Sequence, residues 1–171
     1  EGIKFFEGTW EEALAKAKAE DKLIFIDAYT AWCGPCKLMS KTVFPQAAVG
    51  DFYNENFVNV KMDMEKGNGP TFAKKHGVKA FPTLLYFSPE GELLHRVAGF
   101  KDANDFINVG ETALNPKLRL GTMTEKYLQG ERSPVFLRNY TYASKAAADY
   151  KYRDIAEMYL NTQNDWSSAE N

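Results

Sequence analysis

The feature that most constrains this sequence is a pair of cysteines, Cys33 and Cys36, which directly follows the pattern of a buried strand. Residues 22–29 are almost continuously apolar and favour extended structure, which predicts a strand buried on both faces. A helical pattern begins after Cys33, and Pro35 fits an early helical position, where its missing N–H is not needed. We therefore expect Cys33 at the mouth of a helix with its sulfur exposed, and Cys36 on the same helix face but deeper.

These are the only two cysteines among the 171 residues, so no further pair remains to close a long loop. A disulfide-stapled scaffold is therefore excluded. A zinc site needs about four ligands, and neither His76 nor His95 has a second ligand at a suitable spacing. Two inert thiols are disfavoured because Gly34-Pro35 is typical of a turn and a helix start. We expect a redox-active Cys33–Cys36 disulfide, with no metal and no other cofactor.

The position of Cys33 predicts its chemistry. The attacking species in disulfide exchange is a thiolate, and an unperturbed cysteine has a pKa of about 8.5. A helix N-terminus stabilises negative charge and makes a cysteine placed there more acidic. Cys33 is therefore predicted to attack a substrate disulfide, and Cys36 to resolve the mixed disulfide.

Helical and strand patterns alternate along residues 1–115, beginning with a capping box formed by Thr9 and Glu12. This alternation predicts an α/β domain with a mixed central sheet flanked by helices. In chain order the patterns predict a helix ending near residue 20, strand 22–29, a helix to residue 44, a short helix 46–54, strand 57–64, a helix ending at residue 77, strands 83–87 and 92–97 joined by a turn, and a helix after residue 102.

No strand pattern returns after about residue 115. The segments 116–130, 133–149 and 153–161 carry apolar residues at helical spacing. Residues 116–171 are therefore predicted to be an α-helical extension, separate from a domain of residues 1–115. Two matched helices with a short turn resemble one unit of a helical repeat, which suggests a truncated repeat region.

The charge pattern excludes several classes of partner. The net charge is −2 with both signs well mixed, and there is no basic block of the kind that binds nucleic acid. The apolar runs are far shorter than the roughly 20 residues needed to span a bilayer. The chain begins at Glu1 rather than Met, so we expect that a signal peptide or another upstream segment has been removed. The oligomeric state is not indicated.

Three residues near the cysteines have more than one interpretation. Asp27 interrupts the apolar strand, either as a strand-end residue that reaches solvent or as a buried carboxylate. One interpretation of Lys61 is a solvated lysine on a strand of alternating polar and apolar residues. Trp32 either flanks a substrate groove or packs in the core. The run 67–70 lacks the spacing of a phosphate-binding loop and is typical of a turn.

Several motifs together resemble the thioredoxin superfamily. The run from Asp27 to Lys37, with its Trp-Cys-Gly-Pro-Cys, resembles the active-site stretch, Phe81-Pro82-Thr83 resembles the cis-proline loop, and Gly99 matches a further family glycine. The similarity covers about residues 2–113. Residues 9–23 and 41–64 are most similar to the C-terminal periplasmic domain of transmembrane thiol:disulfide interchange proteins. Residues 29–31 and the helical extension depart from minimal thioredoxins.

The resemblance implies a thioredoxin-like fold and a role for each matched residue. It implies a cis bond before Pro82, with the backbone of Phe81 pairing with an extended substrate segment. It also implies that Asp27 is a buried base for the Cys36 proton, with Lys61 as its partner. The predicted substrate-binding residues are Trp32, Gly34, Pro35, Phe81, Pro82 and Gly99.

Two functions follow from these expectations. The first is a thiol–disulfide oxidoreductase that reduces protein disulfides, with a disulfide-bearing protein as substrate and an upstream thiol donor. The alternative is a thioredoxin-like binding module in which the helical extension, with six of the nine tyrosines, supplies most of the interaction. A periplasmic or otherwise exported location is favoured, and a cytoplasmic one is left open.

Overall fold

The computed structural model of the chain describes residues 1–168, so the last three residues of the predicted extension lie outside the description. The described part contains eight helices and four strands. In chain order these are α1 (Trp10–Glu20), β1 (Leu23–Tyr29), α2 (Gly34–Thr42), α3 (Ala47–Asn56), β2 (Phe57–Asp63), α4 (Gly69–His76), β3 (Thr83–Phe87), β4 (Leu93–Ala98), α5 (Ala103–Leu114), α6 (Leu120–Leu128), α7 (Pro134–Ala146) and α8 (Tyr152–Leu160).

The strands of the described residues form one mixed sheet in the order β2–β1–β3–β4. β1 pairs in parallel with β2 and antiparallel with β3, while β3 pairs antiparallel with β4. The predicted α/β fold with a mixed central sheet is therefore confirmed. The predicted capping box is also present, because the Thr9 side chain accepts from the Glu12 N–H and the Glu12 side chain accepts from the Thr9 N–H.

The alternating side chains of β1 enter two different cores. Ile24, Ile26 and Ala28 pack in the core that contains buried residues of α1 and α4. Phe25 packs in the core that contains buried residues of α2, α3 and α5. Because successive strand side chains point to opposite faces, Asp27 projects to the same face as Phe25, the face that α2 covers.

Several predicted helices have different ends in the structure, and two of these differences have a clear local cause. α2 ends at Thr42 rather than at residue 44, because the N–H groups of Val43 and Phe44 both bond to Met39 O and close the last turn. α6 begins at Leu120 rather than near residue 116. The connection before α6 is a turn organised by Asn115, whose side chain accepts from the Lys117 N–H.

The helical extension packs against β4, the edge strand of the sheet. α6 and α7 both contact β4, and α8 packs against α7. The N–H of Leu120 donates to Nδ1 of the buried His95 on β4 at 3.1 Å. Gly121 lies so close to the strand that a Cβ there would be 2.8 Å from the Leu94 carbonyl oxygen. The extension therefore covers an edge that would otherwise expose unpaired backbone groups.

In the described part of the chain, no helix combines the length and the apolar character that a membrane span requires.

Candidate active site

Cys33 and Cys36 lie at the N-terminus of α2 and are joined by a disulfide bond. Cys33 is the N-cap residue, and its Sγ accepts a hydrogen bond from the backbone N–H of Cys36 at 3.1 Å. Gly34 and Pro35 occupy the first two helical positions and are exposed. The predicted order of strand, cysteine and helix is confirmed, and the sulfur of Cys33 meets the free N–H groups of the helix.

The prediction that the Cys33 sulfur is exposed while Cys36 lies deeper is wrong. Cys33 is 2% exposed and Cys36 is 3% exposed. Exposure therefore does not distinguish the two cysteines. What distinguishes them is backbone position, since Cys33 caps the helix and Cys36 lies within its first turn.

Asp27 lies in the middle of the sheet and is 1% exposed, so the interpretation that it reaches solvent is wrong. Lys61 is its register partner on β2, and its Nζ lies 3.8 Å from Asp27 Oδ2. That distance exceeds a hydrogen bond. Among the described residues, neither carboxylate oxygen has a hydrogen-bond partner. The pair is therefore a loose ion pair with an incompletely satisfied, buried carboxylate.

Burial raises the pKa of Asp27 to about 6, although the positive charge of Lys61 acts in the opposite direction. The cause is physical, because a buried carboxylate loses its hydration and the neutral form is favoured. Asp27 can therefore exchange a proton near physiological pH.

Lys61 is held by neighbours other than Asp27 and is not a freely solvated lysine. Its Nζ donates to Ser40 Oγ at 2.7 Å and lies 5.0 Å from the centroid of the Tyr29 ring. Ser40 follows Cys36 by four residues on α2, which places the two on the same helix face. Ser40 belongs to no recognisable sequence motif, but its spacing of four residues from Cys36 could have identified it as a residue of the site.

Trp32 is 65% exposed, so the interpretation that it packs in the core is wrong. Its indole Nε1 donates to Glu65 Oε1 at 2.9 Å. Its ring meets the Phe81 ring edge to face, with centroids 5.9 Å apart. Trp32 therefore connects the cysteine loop with the loop that contains Pro82. No sequence pattern singled out Glu65, which lies 33 residues away.

The loop before β3 and the end of β4 meet at Pro82 and Gly99. The Phe81–Pro82 peptide bond is cis, and the N–H of Gly99 donates to Pro82 O at 2.8 Å. Gly99 has a φ of +89°, a conformation that side chains other than glycine rarely adopt. Within residues 1–168 the backbone N–H and C=O of Phe81 have no hydrogen-bond partner. They are available to another chain.

The residues described by the structure contain no group of three or more His, Cys, Asp or Glu side chains that could hold a metal ion. His95 serves another purpose, since it accepts the hydrogen bond from the start of α6. Burial lowers the pKa of His95 to about 4, and the nearby charge of Arg119 acts in the same direction.

A family model described as a thioredoxin-like domain matches residues 10–114, which is more than half of the chain. The chain belongs to the thioredoxin-like family. One relative is the thiol:disulfide interchange protein DsbD of Pseudomonas fluorescens, 30% identical over 98 residues, which are 56% of this chain and 17% of the relative. The chain thus spans less than a fifth of that relative's length. Thioredoxins from Arabidopsis thaliana and Saccharomyces cerevisiae are also relatives.

Solved structures give the same assignment. The solution structure of a Bacteroides thetaiotaomicron protein described as a disulphide-isomerase is 47% identical, with a TM-score of 0.61, and covers 67% of this chain and 94% of that one. The C-terminal domain of DsbD from Neisseria meningitidis, in its oxidised form, shares the fold at 23% identity, with a TM-score of 0.54 and 64% of this chain covered. The thioredoxin-like fold and the predicted family are therefore confirmed.

Proposed function

We propose that this chain is a thiol–disulfide oxidoreductase that reduces protein disulfides through Cys33 and Cys36. The observation that carries the proposal is the Cys33–Cys36 disulfide at the N-terminus of α2, with the Cys36 N–H directed at the Cys33 sulfur. In the reduced protein the same N–H and the helix dipole stabilise a thiolate on Cys33. A thiolate at this position is the nucleophile that disulfide exchange requires.

The exchange proceeds in two displacements. The Cys33 thiolate attacks one sulfur of the substrate disulfide, forms a mixed disulfide and releases one substrate thiolate. The Cys36 thiol then loses its proton and attacks the Cys33 sulfur, which releases the second substrate thiolate and forms the Cys33–Cys36 disulfide. Two electrons pass from the dithiol to the substrate, and an upstream thiol donor restores the dithiol.

Asp27 accepts the proton from Cys36 in the second displacement, and Lys61 is its charge partner. Three observations support these roles. Asp27 projects to the face of the sheet covered by α2, its oxygens have no hydrogen-bond partner among the described residues, and Lys61 lines the same surface cavity as Cys36. A base with a pKa of about 6 is ionised at neutral pH and can take a thiol proton.

The substrate segment lies beside the loop of Phe81 and Pro82. The unpaired backbone groups of Phe81 can add an extended substrate strand through main-chain hydrogen bonds. Trp32 and Gly99 border this loop by direct contacts, and Gly34 and Pro35 are exposed next to the disulfide. We assign a protein disulfide as the substrate, and a periplasmic or otherwise exported location by the resemblance to the periplasmic domain of interchange proteins.

A binding module is the second candidate function, and Tyr142 and Tyr150 favour it because both are more than half exposed on the extension. An insulin-reduction assay with a thiol donor separates the two candidates. An oxidoreductase is expected to consume many equivalents of donor per protein chain, whereas a binder consumes none. Turnover no faster than the donor alone would contradict the proposal.

A chain that ends at Asn115 tests the proposed division between residues 1–115 and the extension. It is expected to keep the single-turnover rate on a small artificial disulfide within about twofold, because no residue of the proposed exchange lies after Gly99. Its stability is expected to fall, since removal of Leu120 uncovers β4 and leaves His95 Nδ1 unpaired.

The truncated chain must first be shown to be folded by circular dichroism. A large drop in the small-substrate rate of a folded, truncated chain would show that the extension helps to build the active site.

A further inference from the structure

A surface cavity beside Cys36 is lined by charged side chains that the exchange reaction does not require. Its volume is about 410 Å³. Its lining residues come from the end of β1 and the loop after it, from α2 and from β2, and Cys36 is the one active cysteine among them. They are Tyr29, Thr30, Ala31, Cys36, Lys37, Ser40, Lys41 and Lys61, and we call this surface the Cys36 groove.

The Cys36 groove is positively charged. Lys37 and Lys41 lie four residues apart on α2, so both project on one helix face, and Lys61 contributes a third ammonium group from β2. None of the lining residues is acidic. Within residues 1–168, Lys37 and Lys41 form no ion pair, and both are exposed. Their charge is therefore free to act on a ligand.

Thr30 supplies a second and independent feature of this groove. Its side chain is 1% exposed, and its Oγ1 has no hydrogen-bond partner in the described part of the chain. Buried hydroxyl groups are nearly always hydrogen-bonded, because an unpaired one loses the bonds that it made to water. Thr30 lines the groove, so a ligand oxygen there could accept its hydrogen bond once a rotation of the side chain exposes the hydroxyl. Ammonium groups together with a hydroxyl donor are a donor set suited to a carboxylate.

We propose that the Cys36 groove binds carboxylate groups of disulfide substrates, so that the protein reduces disulfides flanked by acidic residues in preference to neutral ones. This inference rests on the proposed function. During exchange the substrate is bonded to Cys33, three residues from Cys36. An acidic side chain near the substrate cysteine can then reach the groove, which is separate from the surface around Pro82 and Gly99 that we assign to the substrate backbone.

The test compares two disulfide peptides that differ only in having Glu or Gln beside the cystine. At low salt the wild-type kcat/KM is expected to be about tenfold higher for the Glu peptide, as two exposed ion pairs would provide. In the double variant Lys37→Gln/Lys41→Gln this ratio is expected to fall to about threefold or below, the part that Thr30 and Lys61 can supply. The matched control Lys74→Gln/Lys75→Gln, which removes two exposed lysines from α4, is expected to keep the wild-type ratio.

The salt dependence of the preference for Glu and a conservative variant at Thr30 give two further tests. The preference is expected to fall steeply at about 1 M salt, where screening acts over about 3 Å. Thr30→Val keeps the side-chain shape but removes the hydroxyl, and is expected to lower the ratio about threefold, as the loss of one hydrogen bond would. Dithiodipropionate compared with hydroxyethyl disulfide shows whether a small anionic compound is also preferred. This comparison shows whether the preferred carboxylate must belong to a peptide.

The outcomes separate this inference from the proposed function. Equal kcat/KM for the Glu and Gln peptides in the wild type would overturn the inference while leaving the reductase function in place. A preference for Glu that is undiminished in Lys37→Gln/Lys41→Gln would also overturn it, because the two exposed lysines of the groove would then contribute nothing. If neither peptide is reduced, the proposed function itself is wrong.

Discussion

Replacing Cys33 with serine is expected to abolish disulfide reduction, with a loss of about a thousandfold or more, as for the removal of other essential nucleophiles. Replacing Cys36 with serine is expected to stop turnover in a different way. The variant should react once and then remain covalently bound to its substrate. Mass spectrometry of the acid-quenched reaction is expected to show the mixed disulfide on Cys33.

The physical reason lies in the two positions at the start of α2. Cys33 caps the helix, and its sulfur accepts the N–H of Cys36, so a negative charge there is stabilised. Cys36 lies within the first turn, and no donor of the described residues is directed at its sulfur. The thiolate therefore forms preferentially on Cys33, although both residues are equally buried in the oxidised protein.

Alkylation gives an independent check on the two roles. In the reduced wild-type protein at about pH 6, iodoacetamide is expected to label Cys33 before Cys36, because the thiolate is the reactive species. Labelling of Cys36 first would contradict the assignment. A mixed disulfide that accumulates in Cys33→Ser rather than in Cys36→Ser would show that the roles are reversed.

The sequence was most informative where a pattern is local. The apolar run, the cysteines and Pro35 together predicted a strand, a turn and a helix, and the structure has β1, Cys33 and α2 in that order. These predictions succeed because strand propensity and the cap of a helix depend on residues close together in the chain. The end of α2 was placed two residues too far along, since the last turn closes through two bonds to Met39 O.

Contacts between distant segments could not be predicted from local patterns. The hydrogen bond of Trp32 to Glu65 joins residues 33 positions apart. The bond from Leu120 to His95 joins residues 25 positions apart, so the attachment of the extension to β4 had no signal in either segment. The prediction that the Cys33 sulfur is exposed was also wrong, since exposure depends on how distant segments pack around the start of α2. The strand pattern alone left the burial of Asp27 open, and the central position of β1 in the sheet explains it.

Replacing Asp27 with asparagine is expected to stabilise the folded protein at neutral pH. The pKa of Asp27 rises from 3.8 to about 6 on folding, mainly through burial. Below pH 3.8 the carboxyl group is protonated in both the folded and the unfolded chain, and its contribution to stability is fully present. That contribution is lost as the pH rises through about 6, because the unfolded chain ionises more readily. The shift corresponds to about 3 kcal/mol at neutral pH.

The asparagine variant should therefore have a free energy of unfolding about 3 kcal/mol higher than wild type at pH 7, and about equal to it near pH 4. Urea denaturation at several pH values measures this difference. Asp51→Asn, at an exposed position on α3, is the matched control and should change little. Lys61 can lose its partner at low cost, since Ser40 still accepts from it and its side chain is 31% exposed.

The same substitution is expected to slow disulfide reduction, so that stability and turnover change in opposite directions. The deficit should be largest between about pH 6 and pH 8, where wild-type Asp27 is ionised but an unperturbed thiol, with a pKa of about 8.5, is not. At higher pH the thiol ionises without a base, and the two rates should converge. A stabilised variant with a wild-type pH–rate profile would separate the two effects. Asp27 would then be a buried acid that destabilises the fold and takes no part in resolving the mixed disulfide.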